Sequence, residues 1–569
     1  MPTITCTLSD LNRLTGMNLT PQTLDERANQ FKGEVKGYSA ETGELKLELQ
    51  DTNRPDLWCV EGIARQLRTI QHGGMSHYPD VFSGEVVKGR EFHVDCLMEK
   101  IRPYAAGFAV TGLDVTDDLL VACIQTQEKL AENLGRKRRS ISIGIYDLDQ
   151  IEFPVRYTAV GLDDVTFVPL GFDTPMTPRQ ILEQHPKGIE YRGTLEGRTH
   201  VPMLMDARGS ILSFPPIINS RASGEVRVGR RNLFIEATGT DIENMVLALN
   251  IFAVNMADRG GRIEPVRVLL PYESRLGREF VMPYRFNQTR TIGLEKVHSM
   301  LGVNYSASRA ADLLTCYGID ASLEGNGIAV KWPDWRHDLL HDVDVIEDIA
   351  IAAGYESFEP VMPSDYTIGA LAPMTLFGDR IRDIMLSLGF EELISNILCN
   401  RTDFAVRLRE PERAIIEIAN PMSETYSAVR DRLLPSLLSV ERDSSGAAYP
   451  HRMFEVGEVT IRDESVSKRV RTTLRLGVMV ADAGAEFSTA HSYLEAVFYQ
   501  FGLESSLRPV DLPPFIPGRC GEVIVAGQAI GWIGELHPET LENFQIGVPC
   551  SAFEIDLNQL RAIVSAGQL

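Results

Sequence analysis

The sequence has no run of about 18 apolar residues, so it offers no segment long enough to cross a bilayer as a helix. Its opening, MPTITCTLSDLNRL, lacks the charged stretch followed by an apolar one that marks a secretory leader. Eight cysteines lie at positions 6, 59, 96, 123, 316, 399, 520 and 550, and none forms a CxxC pair. This disfavours a structural zinc site of the usual spacing. Scattered single cysteines fit a reducing compartment, and a cytoplasmic protein is expected. Also missing are GxxxxGKS/T, GxSxG, HExxH and a GxGxxG after a strand, so an independent ATP-using or triad enzyme finds no support. There is no short-period repeat and no low-complexity tract.

What is present is ordinary globular composition, 44% hydrophobic and 24% charged over 569 residues. That length suggests about three to five domains. The formal charge of −22 favours solubility and disfavours non-specific nucleic-acid binding, leaving specific RNA contact to local patches.

Along the chain, Leu45, Leu47 and Leu49 alternate as in a strand, and Val60, Ile63, Ala64 and Leu67 then fall at helical spacing. The polar stretch to His93 reads as a linker or an edge hairpin. Thr116 is a candidate cap for a helix whose apolar face includes Leu120, Cys123 and Ile124. Ile141, Ile143 and Ile145 alternate in a strand. Further strands are expected at 201–205, 210–214 and 232–238, with a helix near 241–257. Residues 283–358 read as a compact helical unit, with helices ending at Gly302 and Gly318, then a hairpin around Glu324–Gly327 and a third helix starting near Asp342. From about 365 the pattern is a largely antiparallel sheet with helices. The fold class is therefore α+β and multidomain.

Two segments suggest chemistry. On a helix from Asp342, Asp344, Glu347 and Asp348 fall on one side, opposite Val345, Ile346 and Ile349, and Asp338 lies just before it. Four carboxylates in eleven residues form either a solvated face or a site for a hard cation such as Mg²⁺. His337 and His341 are four apart, but the helix starts between them and no third soft ligand is near, so zinc is not expected. Gly135 to Arg139, GRKRR, is a basic peak in an acidic chain. It either meets a phosphate backbone or ends a helix in solvent, where cations favour the dipole.

Several segments taken together go further. DTNRPDLWCVEGIARQLR (51–68), the 102–149 stretch ending SISIGIYDLD, and WRHDLL with DVIEDIAIAAGY resemble the phenylalanyl-tRNA synthetase β-subunit family, of the archaeal and eukaryotic kind. NPMSETYSAVRDRLLPSLL (420–438), FEVGEV (454–459) and IGELHPETL (533–541) agree, in the family's order and over nearly the whole chain.

The resemblance implies an α2β2 enzyme that joins phenylalanine to tRNA(Phe) with ATP and Mg²⁺, its aminoacylation site on the α subunit. It implies an N-terminal α+β domain (1–95), a B3/B4-like editing domain (100–265), a B5 domain (283–358) and a class II synthetase-like core without a catalytic site (365–569). In keeping with that last, no GxGxxR-type segment occurs near the end, and Arg430 lies in a segment the family retains without catalysis. Asp338, Asp344, Glu347 and Asp348 align with the family's Mg²⁺ motif. The editing domain hydrolyses mischarged Tyr-tRNA, and its matching candidates are Leu204, Ser213, Glu236 and Thr238, with Asn219 nearby. Where some archaeal relatives carry aspartate, this chain has Glu236. The alternative reading is an RNA-binding scaffold subunit without active editing.

Overall fold

The computed structural model describes residues 2–50, 53–75 and 77–566. Asp51 and Thr52, which open the DTNRPDL segment, and the last three residues of the expected 365–569 domain lie outside the described residues. The chain packs as two units, Met1–Met362 and Pro363–Leu569.

In the first unit, Leu45, Leu47 and Leu49 are buried on strand Glu44–Leu49. It is the centre of a three-stranded antiparallel sheet, between Thr3–Thr7 and Gly33–Tyr38. Val60, Ile63, Ala64 and Leu67 are the buried side of helix Val60–His72, which ends at Gly73 in the left-handed region, φ 70°.

The polar stretch before His93 is neither a linker nor an edge hairpin. Val81 and Phe82 are buried, and Phe82 stacks on Trp335 at 6.5 Å. The stretch closes in strand Glu91–Val94, which runs inside a seven-stranded sheet. Val155–Gly161 and Val266–Leu269 flank it, both parallel to it. Two buried residues, Phe92 and Val94, are too short an alternation to stand out in a polar sequence. One hydrophobic core consequently runs from Ile4 to Met282 and includes Trp335, with no break in packing near residue 95.

A second, four-stranded antiparallel sheet has the order Arg262–Glu264, Tyr104–Thr111, Leu233–Gly239, Ile141–Asp147. Helix Ile242–Asp258 packs on it and is buried nearly all round, which explains its weak amphipathic pattern. Strand Ile141–Asp147 is left at the sheet's edge, and the candidate site forms there.

Residues 289–353 have a core of their own. Helices Leu294–Leu301 and Ala307–Tyr317 end at Gly302 and Gly318, both left-handed (φ 69° and 97°). The unit is not purely helical. The expected hairpin is there, Asp320–Glu324 with Gly327–Lys331, and Thr289–Gly293 joins it on the other side to make a three-stranded antiparallel sheet.

The second unit is a seven-stranded sheet in the order Glu391–Glu392, His451–Arg462, Val470–Ala481, Cys550–Asp556, Gln528–Leu536, Phe515–Val525, Ser505–Pro509. All neighbours are antiparallel except the first pair. Helix Pro373–Ser387 and helix Phe487–Tyr499 pack Ile381, Leu494 and Phe498 into its core. Among the described residues, no helix is long and apolar enough to cross a membrane.

Candidate functional site

A cavity of about 360 Å³ opens at the free edge of strand Ile141–Asp147. Its size suits a small ligand or one amino-acid side chain. One wall is helix Asp117–Lys129, capped as the sequence predicts by Thr116, whose Oγ1 accepts from the Leu119 N–H at 3.3 Å. The expected core face of this helix is only partly core. Leu119 and Cys123 are buried, whereas Leu120 is half-buried and Ile124 is exposed, and both line the cavity. The opposite wall is the chain from Ser213 through Pro215 and Pro216 to Asn219.

Polar groups converge on one corner of this apolar space. Glu236 sits on strand Leu233–Gly239 and is only 3% exposed. Its cross-strand neighbours are both glycines, Gly107 and Gly144. A Cβ on Gly144 would lie 2.5 Å from Glu236 Oε1, so the bare backbone makes room for the carboxylate. The Tyr146 hydroxyl is 2.8 Å from Glu236 Oε1 and 2.8 Å from Ser213 Oγ. Having one proton, it donates to the carboxylate and accepts from Ser213. Glu236 Oε2 is buried and, among the described residues, has no hydrogen-bond partner. Burial pushes the Glu236 carboxyl up to about 7, although the Tyr146 hydrogen bond and the charge of Arg102 both pull it down. Burial, and then the Glu236 charge, raise Tyr146 well above the ordinary phenol range, so it stays a donor.

The four editing candidates divide. Ser213 and Glu236 line the cavity. Leu204 is fully buried in the core behind it, as the cross-strand partner of Ser213 and Tyr157. Thr238 is also fully buried. Its hydroxyl accepts from Arg102 Nε at 2.9 Å and lies 2.8 Å from Ser142 Oγ. Both therefore support the site from behind. Asn219 Oδ1 is 3.4 Å from the Tyr146 hydroxyl. Tyr146 and Arg102 are not singled out by the sequence, and Arg138 only as part of the basic peak. The signal for Tyr146 was the polar side of the isoleucine alternation, Ser142, Gly144 and Tyr146. Only pairing with a strand 90 residues away gives that side its meaning.

The acidic helix, Asp342–Ala353, behaves differently. Asp348 is 1% exposed, so it is not on a solvated face. The Arg336 guanidinium donates to Asp338 at 3.0 and 2.6 Å and to Asp348 at 2.8 Å. Arg54, paired with Asp56 at 2.8 Å, stands 3.9 Å from Asp338. Burial pushes Asp338 up, but the guanidiniums of Arg336 and Arg54 outweigh it and bring it to about 2. Glu347 pairs with Lys32 at 3.1 Å. Asp344 accepts the N–H groups of Leu340 and His341 at 2.8 and 2.6 Å, capping the helix. Asp338 and Asp348 thus share Arg336, while Glu347 and Asp344 go to Lys32 and the helix N-terminus, and among the described residues no group of three or more metal-binding side chains comes together. This arrangement does not fit one Mg²⁺ held by all four. Internal cations, chiefly Arg336, neutralise the charge that Mg²⁺ would.

In the second unit Arg430 is 2% exposed. It donates to Glu455 Oε1 and Ser395 Oγ, both at 2.7 Å, and to the Glu458 carbonyl at 2.8 Å.

Residues 290–355 match the tRNA synthetase B5 domain, and residues 359–557 match the phenylalanyl tRNA synthetase beta chain CLM domain. The phenylalanine–tRNA ligase beta subunit of Borrelia hermsii is 36% identical over 98% of this chain and 100% of its own length. That of Borreliella burgdorferi strain ZS7 is 36% identical over 96% and 97%. A crystal structure of an N-terminal fragment of the phenylalanyl-tRNA synthetase beta subunit from Pyrococcus horikoshii matches with TM-score 0.58 and 35% identity, covering 62% of this chain and all of that one. The sequence relatives are thus bacterial and the solved fragment is archaeal, so these likenesses do not assign the chain to the archaeal and eukaryotic kind. With identity at this level over nearly its whole length, the chain belongs to the phenylalanine–tRNA ligase beta-subunit family.

Proposed function

We propose that this chain assembles with an alpha subunit, as α2β2, to charge tRNA(Phe), and that its own cavity hydrolyses tyrosine misattached to that tRNA. In this reading residues 100–265 are the B3/B4-like editing domain, 283–358 the B5 domain and 365–569 a class II synthetase-like core without catalysis. ATP and Mg²⁺ serve the charging step on the alpha subunit. The commitment of Arg430 to Glu455, Ser395 and a carbonyl supports a core that binds no nucleotide of its own.

The observation that carries the editing reading is Glu236 Oε2, unpartnered among the described residues, on a residue that lines a mainly apolar cavity. Tyrosine exceeds phenylalanine by one hydroxyl, and an apolar charging pocket rejects such an addition by only about a hundredfold. A second site built to bond that hydroxyl discriminates far better, because phenylalanine leaves its polar group unpaired. Glu236 Oε2 is such an acceptor, and Tyr146, itself bonded to Ser213, fixes the carboxylate through Oε1.

The test is hydrolysis of preformed Tyr-tRNA(Phe) by the α2β2 complex. Glu236→Ala should slow it by about ten- to a hundredfold, the worth of a hydrogen bond to a charged group at roughly 1.5–3 kcal/mol. Phenylalanine charging should persist. Equal deacylation rates would remove Glu236 from the site, and loss of charging as well would indicate misfolding.

A further inference from the structure

The basic peak Gly135–Arg139 is a built feature of the cavity's rim. Arg136, Lys137 and Arg138 are three successive residues in the left-handed region, with φ 49°, 55° and 62°, where side-chain-bearing residues seldom sit even singly. Hydrogen bonds hold them there. The Gly135 N–H donates to the Leu130 carbonyl at 2.7 Å, Lys137 to Glu132 at 2.9 Å, Arg138 to Ala131 at 3.0 Å and Ser140 to Gly135 at 2.9 Å. The Arg138 guanidinium ties the turn to the opposite wall, donating to the Pro216 and Ile217 carbonyls at 3.1 and 3.0 Å. It also stacks 4.2 Å from the Tyr191 ring centroid, with Lys187 Nζ 5.4 Å from the same ring. Arg138 and Lys187 both line the cavity.

The charges around the turn do not cancel it. Glu132 accepts the Tyr191 hydroxyl at 2.9 Å, Glu190 pairs with Lys187, and Glu225 pairs with Arg227. Besides Glu225, the carboxylates of the cavity lining are Glu236, in its inner corner, and Glu128, on the helix wall. Arg136, Lys137 and Arg139 are exposed, and none is in an ion pair among the described residues. A chain of net charge −22 repels polyanions at long range. Several unpaired cations on a rigid turn beside a cavity sized for an amino-acid side chain are what a local phosphate contact requires.

We propose that the 135–139 turn is a phosphate-binding rim, holding the last nucleotides of an RNA whose 3′-esterified amino acid enters the cavity. This rests on the editing reading of the cavity. Arg136 and Lys137 supply the charge, and Arg138 positions the turn against the pocket wall.

The test compares the wild-type α2β2 complex with Arg136→Asn/Lys137→Asn, because asparagine tolerates the left-handed region. Two substrates are used: Tyr-tRNA(Phe), and 3′-O-tyrosyl-adenosine, which has no upstream phosphates. The expected result is a KM for Tyr-tRNA(Phe) raised about tenfold at near-constant kcat, with hydrolysis of the small ester unchanged. The salt dependence of log(kcat/KM) should also become shallower by about 1.4, for two phosphates on a single strand at roughly 0.7 each. An unchanged KM and salt slope overturns the proposal. An equal loss on both substrates also overturns it, because the turn then only supports the pocket. If the wild type hydrolyses neither substrate, the editing reading falls. Binding of an acceptor-stem minihelix to the two complexes then decides the rim alone, and equal affinities overturn it.

Discussion

Replacing Glu236 by glutamine keeps its shape and removes its charge. Two consequences follow, and both depend on pH. The carboxyl titrates at about 7 in the folded protein, against an ordinary value of 4.5. Below pH 4.5 the group is neutral in both states and folding bears no penalty. Between 4.5 and 7 only the folded state keeps the proton. Above 7 the folded protein carries a buried charge and has lost the full difference. At about 1.36 kcal/mol per pH unit, that gap amounts to about 3 kcal/mol. Glutamine does not titrate. It does leave an amide N–H where Oε2 was unpaired, a cost of about 1–3 kcal/mol that is independent of pH. The stability of Glu236→Gln relative to wild type should therefore move in the variant's favour by about 3 kcal/mol from pH 4 to pH 8. Hydrogen exchange in strand Leu233–Gly239, corrected for intrinsic rates, reads this locally and needs no two-state transition of a multidomain chain. In parallel, wild-type deacylation of Tyr-tRNA(Phe) should rise with pH through about 7, as Oε2 becomes a charged acceptor for the phenol. The variant should be slower by about tenfold or more and flat across that range. A stability difference that does not change with pH, or the same pH–rate profile in both proteins, would refute the account of Glu236 as a buried titrating acceptor.

Gly144→Ala should place a methyl group against Glu236 Oε1 and the Tyr146 hydroxyl. Deacylation should fall at least tenfold with charging retained, as measured on the two reactions side by side. Arg336→Met should leave Asp338 and Asp348 buried without their cation, at a cost of about 3–5 kcal/mol, read as a lower unfolding midpoint of the first unit. Chelation of divalent ions should leave the wild-type midpoint unchanged, because guanidinium groups already neutralise these carboxylates.

Much of the local structure was legible in the chain. The alternations at Leu45–Leu49 and Ile141–Ile145, the Thr116 cap and the glycine stops at 302 and 318 depend on neighbours within a few residues, and local sterics and hydrogen bonds decide them. The run of segments also marked the family, and within it Ser213 and Glu236. What only tertiary structure decided is where each alternating face points and which charges meet. Tyr146 and Glu236 are 90 residues apart, and strand pairing alone puts them 2.8 Å from each other. Leu204 pairs across strands with the cavity-lining Ser213, and Thr238 lies two residues from Glu236 on one strand, yet sheet packing buries both behind the wall. Helical spacing put Asp348 on one face with Asp344 and Glu347, open to solvent or to a cation, but Arg336, twelve residues earlier, folds against it and Asp338 and provides the positive charge. Periodicity fixes which side of an element a residue occupies. What that side faces is set by the long-range burial of apolar surface, which a single chain written in order does not display.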